Sequence, residues 1–172
     1  MLPTYDAVMV PPSTARLRFR QMTEDDLDVM ADLLGDPRVM EFYPSPKTRE
    51  AARAWIEWNE ANYAAHGHGL WIVEDHNNTF IGDCGLTWQQ VCGRRELEVG
   101  YHVRTELQGR GLATEAAAAC RDHARSIGVE HLIAIIHPEN VRSQRVAVKI
   151  GLSLEAEDST GGMRRLVYGG DL

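Results

Sequence analysis

The sequence predicts one mixed α/β (α+β) domain with a mainly antiparallel sheet, and three observations predict it. A strand pattern, a glycine turn, a helical segment and a second strand follow one another between residues 96 and 136, the order of a parallel βαβ unit. Short strand-like segments joined by Asn- and Gly-containing turns stand on either side of it, as hairpin strands do. A length of 172 residues suits a single core and is short for two.

Residues 1–14 carry Pro11 and Pro12 and have neither a basic start nor a long apolar run, so a flexible lead-in is expected there rather than a signal peptide, with the domain proper at residues 15–172. Leu17 and Phe19 alternate with Arg16, Arg18 and Arg20, the pattern of a half-buried first strand. Thr23 and Asp26 have capping-box spacing, and Leu27, Met30, Ala31 and Leu34 recur at helical spacing until Gly35 and Pro37. After an irregular stretch from Glu41 to Pro46, Thr48 caps a second helix carrying Trp55, Ile56 and Trp58 to about Tyr63. Residues 70–73 and 80–86 read as a hairpin turned by Asn77 and Asn78, which tolerate left-handed backbone.

The central strand, residues 96–103, places Leu97, Val99, Tyr101 and Val103 on one face and Glu96, Glu98, Gly100 and His102 on the other. Gln108, Gly109, Arg110 and Gly111 then turn the chain, and an Ala-rich helix runs to near Gly128. Residues 131–136 are a continuous apolar run, as in a strand buried on both faces. Val146, Ala147 and Ile150 mark a fourth helix over residues 143–150, and residues 152–156 and 163–168 complete the sheet.

A formal charge of −7 argues against a nucleic-acid partner, because that binding rests on clustered Lys and Arg, and suits an amine better. No apolar run reaches the length of a membrane span, so a cytoplasmic protein with no membrane partner is expected. Cys84, Cys92 and Cys120 form no C-x-x-C pair and are expected to be reduced thiols. His66 and His68 are a close pair without an adjoining Cys or carboxylate cluster, so no metal site is expected.

The glycine turn carries the chemistry. Helix-start N–H groups facing it would attract phosphate, yet its glycine spacing is not that of a dinucleotide fingerprint, and it lacks the Lys and Ser/Thr of a Walker loop. An ordinary strand-to-helix turn would also use glycine.

Four stretches in order carry a family resemblance: Arg16 to Arg20 with the acidic helix start after Thr23; Phe80 to Gly82 with Gly85 and Leu86; Glu98 to Tyr101 leading into Gln108 to Ala113; and Asn140 and Ser143 leading to Lys149, Ile150, Gly151 and Leu152. Together they resemble the GNAT superfamily of acyl-CoA-dependent N-acyltransferases, and most of all its ribosomal-protein N-terminal acetyltransferase branch, except that Leu152 replaces an aromatic residue. The resemblance implies helices on both faces of the sheet, with the parallel unit at the cofactor site, and a single acyltransferase domain. It implies acetyl-CoA as co-substrate, held by Gln108, Gly109, Arg110, Gly111, Leu112, Ala113 and Thr114, with Val103 pairing the pantetheine arm across a splay between strands and Asn140 contacting that arm. Arg110, Arg142, Arg145 and Lys149 are placed to offset its phosphates, or are solvated surface cations.

Within the same resemblance Glu98 is the candidate base and Ser143 the candidate donor to the departing thiolate; a tyrosine acid used by other branches is replaced by Ala147. The blander readings are a solvated Glu98 paired with Arg94 or Arg95, and Ser143 as a helix cap. A carboxylate of ordinary pKa, about 4.3, is a poor base for an ammonium, so Glu98 would act through water or by orienting the amine. Neutralising an α-amine near pH 7.5 costs about 0.5 kcal/mol and a lysine roughly 4 kcal/mol, which favours an α-amine acceptor. Glu41 to Tyr43, Asp158 to Met163 and Tyr168 are the expected acceptor side by fold analogy. The acceptor is a small-molecule or peptide amine, the oligomeric state is open, a homodimer included, and the competing function is a catalytically silent acyl-CoA sensor.

Overall fold

The computed structural model describes residues 9–172. Seven strands form one sheet, in the order β1-β2-β3-β4-β5-β7-β6: β1 Leu17–Arg20, β2 Leu70–Asp75, β3 Phe80–Val91, β4 Arg94–Val103, β5 His131–Ile136, β6 Ser153–Asp158 and β7 Arg165–Asp171. All neighbours are antiparallel except β4 and β5. The helices are α1 Leu27–Gly35, α2 Arg49–His66, α3 Leu112–Ser126 and α4 Val141–Lys149. Of the lead-in expected over residues 1–14, residues 1–8 lie outside the described residues. Pro11 is buried, and Thr14 donates to Glu115 of α3 at 2.6 Å.

Local chemistry places the ends of these elements. Thr48 Oγ1 accepts from the Ala51 N–H at 3.1 Å to start α2, which runs past Tyr63 and closes on Gly67 at φ 74°. A 3₁₀ turn, Glu24–Asp26, precedes α1, and Asp26 accepts from the Thr23 N–H at 2.9 Å while holding Arg20 at 2.7 Å. β3 and β4 are longer than expected, with paired positions from Gly82↔Val103 to Val91↔Arg94. The extra residues run from the buried Thr87 through the exposed Trp88 and Gln90 to the buried Val91 and on to Arg94 and Arg95, and the ladder continues through them until Cys92 and Gly93 turn at positive φ.

Helices cover both faces. On one, the α2 residue Trp55 donates to Asp83 at 3.1 Å, and Tyr63 bonds the Leu70 carbonyl. On the other, Cys120 Sγ of α3 lies 3.5 Å from Cys84 Sγ, unbonded, and His123 meets Trp71 edge-on at 5.4 Å. Trp71, Met30, Ile56, Leu86, Leu97 and Leu132 are fully buried between the layers, each worth about 1.5–3 kcal/mol of apolar burial. Among the described residues no helix is long and apolar enough to cross a membrane.

One place in the sheet does not close. The parallel pairing of β4 with β5 is confined to Glu98↔Ile133, and toward Val103 and Ile136 the two strands share no ladder. Elsewhere the sheet is packed tightly: a Cβ on Gly82 would stand 1.9 Å from the His102 carbonyl oxygen of β4, and one on Gly85 2.0 Å from that of Gly69, just before β2. Gly85→Ala therefore must push β2 and β3 apart, and it is expected to cost about 2–3 kcal/mol, read as a fall of roughly 4–10 °C in a thermal melt.

Candidate active site

A cavity of about 640 Å³ occupies the gap between β4 and β5. Because alternate β4 residues point to opposite faces, the opening beside this strand joins the α3 and α4 side of the sheet to the α1 and α2 side. Tyr101 and Val103 line it from the first side, and Glu98 and His102 from the second.

On the α3 side, Gly109 and Gly111 adopt φ 76° and 77°, values that admit glycine without strain, and Gly111 is the N-cap of α3 with no side-chain cap. The first-turn N–H groups of Leu112, Ala113 and Thr114 thus start a fifteen-residue helix at the cavity wall. Gln108 braces the turn, donating to the Val103 carbonyl at 3.0 Å and accepting from Arg142 at 2.8 Å. Arg142, Arg145 and Lys149 of α4 line the same wall. Arg110 does not; its guanidinium turns to the Glu106 carbonyl at 3.2 Å.

Glu98 projects into the gap, where Ile135 of β5 offers its N–H to Oε1 at 3.4 Å. It pairs with neither Arg94 nor Arg95; the latter lies on Trp88 at 4.8 Å. Burial pushes the Glu98 carboxyl up to about 7, against the opposing pull of the Ile135 N–H and of the Arg165 charge. The ordinary carboxylate value assumed from sequence does not hold here, because the surrounding protein desolvates the group.

Ser143 is not the cap of α4. Asn140 is: its Oδ1 accepts from the Ser143 N–H at 3.1 Å, which starts the helix two residues earlier than the periodicity indicates. That frees the Ser143 hydroxyl, which donates to Tyr101 Oη at 3.0 Å, while Tyr101 donates to the Ser143 carbonyl at 3.0 Å. Burial holds the Tyr101 phenol above its usual range.

The far end of the cavity is formed by Glu41, Phe42, Tyr43 and Pro44, with Trp55, Gln89, Met163 and Arg165. Of the expected acceptor residues, Tyr168 and Asp158 are not in this wall: Tyr168 donates to Gln144 at 3.2 Å, and Asp158 pairs with Arg165. Sequence reasoning missed a chain of bonds beside Glu98. Asp83 Oδ1 lies 2.7 Å from His102 Nδ1, Trp55 donates to Asp83 Oδ2, and His102 Nε2 lies 2.8 Å from Tyr43 Oη. Asp83 is 1% and His102 7% exposed. A signal existed, since an aspartate inside the apolar 80–86 strand needs a buried partner. Among the described residues no group of three His, Cys, Asp or Glu could hold a metal ion, and the His66 and His68 rings stack at 5.8 Å.

The position of Glu98 has a thermodynamic consequence. Between its ordinary 4.5 and about 7 the folded protein holds a proton that the unfolded chain has released, so stability falls as pH rises through that window. Glu98→Gln removes the dependence, and denaturant melts are expected to show the variant gaining roughly 1–3 kcal/mol on wild type between pH 4.5 and 8.

Comparison with known proteins places this geometry. YkkB of Bacillus subtilis is 39% identical over 144 residues, 81% of this chain and 83% of its own. The acetyltransferase structure from Agrobacterium tumefaciens superposes with a TM-score of 0.82 at 26% identity, covering 94% of each chain. RimL, a ribosomal L7/L12 α-N-protein acetyltransferase solved with coenzyme A, shares the fold at TM-score 0.79 and 15% identity over 95% of this chain and 98% of its own. The family model of the acetyltransferase (GNAT) domain matches residues 16–153, most of the sheet and all four helices, and the chain belongs to the GNAT acetyltransferase family.

Proposed function

We propose that this acetyltransferase moves the acetyl group of acetyl-CoA onto a primary amine, either the α-amine of a peptide or protein N-terminus or the amine of a small molecule. The observation that carries the reading is Glu98, a carboxylate of raised pKa held where one cavity joins the α3 N-terminus to the Tyr43 and Trp55 mouth.

The residues present fit the co-substrate. Uncapped N–H groups of Leu112, Ala113 and Thr114, with backbone at Gly109 and Gly111 free of Cβ atoms, suit a pyrophosphate, and Arg142, Arg145 and Lys149 supply opposite charge. The edge of β4 at Val103, unpaired on the β5 side, is open to an extended amide arm, with Asn140 across the cavity. When bound, acetyl-CoA supplies an activated acetyl thioester; the proton chemistry falls to the chain. Glu98, near half-ionised at pH 7, accepts a proton from the attacking nitrogen directly or through one water. Ser143, whose hydroxyl hydrogen rests on Tyr101 Oη, turns it to hydrogen-bond the departing thiolate, which takes its proton from solvent.

Incubation with acetyl-CoA and a panel of N-terminal Ser, Ala and Thr peptides beside small amines is expected to release CoA thiol and add an acetyl mass to at least one acceptor. No release with any acceptor would sink the reading, and CoA binding without turnover would leave an acyl-CoA sensor in its place. In the same assay Glu98→Gln is expected to lower kcat/KM about 10²-fold and to remove the rise in rate through pH 7, the sign required of a base that works ionised. Ser143→Ala is expected to lower kcat about tenfold with little change in the KM for the amine.

A further inference from the structure

Acylation of an ammonium takes two protons from nitrogen: R–NH₃⁺ and the acetyl thioester become R–NH–acetyl, a thiol and one free proton. The nitrogen–carbon bond forms, the carbon–sulfur bond breaks and sulfur leaves with the electron pair. One proton ends on sulfur and one must leave the site. Glu98 holds one at a time, so an amine that enters as the ammonium, as a lysine-like amine does at neutral pH, requires a second acceptor near the nitrogen.

We infer that Tyr43, His102 and Asp83 are that second acceptor, a relay in which Tyr43 meets the acceptor amine and His102, positioned by Asp83, takes the proton. The inference rests on the acyl-transfer reading. A carboxylate only accepts, so Asp83 Oδ1 at 2.7 Å assigns the hydrogen to His102 Nδ1. Nε2 is then an acceptor, and the hydroxyl at 2.8 Å must point its hydrogen at it. Tyr43 Oη is left with lone pairs facing the cavity that Tyr43, His102 and Glu98 line together. A proton leaving the nitrogen goes to Tyr43 Oη as the phenol proton passes to Nε2. The resulting imidazolium faces the Asp83 carboxylate, which Trp55 fixes from its other oxygen. Tyr43 stays a phenol throughout, consistent with its position: burial of the hydroxyl end, then the Glu98 and Asp83 carboxylates, push it above the usual phenol range. The burial of Asp83, at 1% exposure, is offset by its bonds to His102 and Trp55, which keep it aimed at the imidazole. The charged or titratable groups facing His102 are Asp83 from β3, Tyr43 from the segment after α1, and Glu98 from its own strand.

The test uses the full chain with an acceptor that wild type acetylates. Tyr43→Phe keeps the ring of a residue 46% exposed, so its fold is not in question, and it is expected to lose at least about tenfold in kcat with the KM for acetyl-CoA unchanged. His102→Ala is expected to lose about 10²-fold and to regain activity with added imidazole but not with pyrazole, a ring of the same size and far lower basicity. Equal rescue by both rings, or an unchanged kcat in Tyr43→Phe, would overturn the relay. Where His102→Ala does not fold, Tyr43→Phe decides alone. Wild-type turnover in the same plate keeps the acyl-transfer reading standing in either case, whereas an inactive wild type removes both.

Discussion

Everything at the site depends on the failure of β4 and β5 to pair beyond Glu98↔Ile133. A buried strand edge with no partner carries main-chain groups whose desolvation costs free energy, and folded proteins seldom leave them unmet. Here part of the deficit is met locally, by Glu98 accepting from the Ile135 N–H and by Gln108 donating to the Val103 carbonyl. The remainder faces a cavity. Glu98 stands at the same gap, desolvated by the protein around it, so the open edge and the raised carboxyl occur side by side.

The gap also separates charge. In a chain of net charge −7, the cations Arg142, Arg145 and Lys149 share the α4 wall beside the α3 N-terminus, while Glu98 and Asp83 stand on the α2 face of the sheet. The separation is incomplete, because Arg38 and Arg165 also line the second end. Under the proposed function the first end would take phosphates and the second the amine, with β4 between them.

How far the sequence disclosed this follows from which signals are local. Strand alternation put Glu98 and His102 on one face, and the glycine pair announced the turn, because both depend on residues within a few positions. The βαβ unit, the hairpins and the helix starts at Thr23 and Thr48 are legible for the same reason. The long β3–β4 hairpin beyond Leu86 was not, since Thr87, Trp88, Gln89, Gln90 and Val91 show no alternation of apolar and polar types. Neither was the capping swap at α4, where Asn140 takes the job suited to Ser143 and leaves the serine to Tyr101, a residue 42 positions away in the chain. The Tyr43, His102 and Asp83 chain joins three separate segments, so only an unexplained acid in an apolar strand hinted at it.

What holds the segment around Tyr43 against the cavity can be decided on magnitudes. Arg142 links the glycine turn to this segment through Gln108 at 2.8 Å and Glu41 at 3.6 Å, but both ion-pair partners are more than half exposed. Such a pair is worth about 0–1 kcal/mol and is screened by salt, so it orients the segment without fixing it. The Tyr43 bond to His102 is better placed, because its partner is buried and held by Asp83, and the Phe42 ring lies 5.3 Å from His137 at the end of β5. The segment is therefore held most firmly at Tyr43 and Phe42 and most loosely at its charged rim.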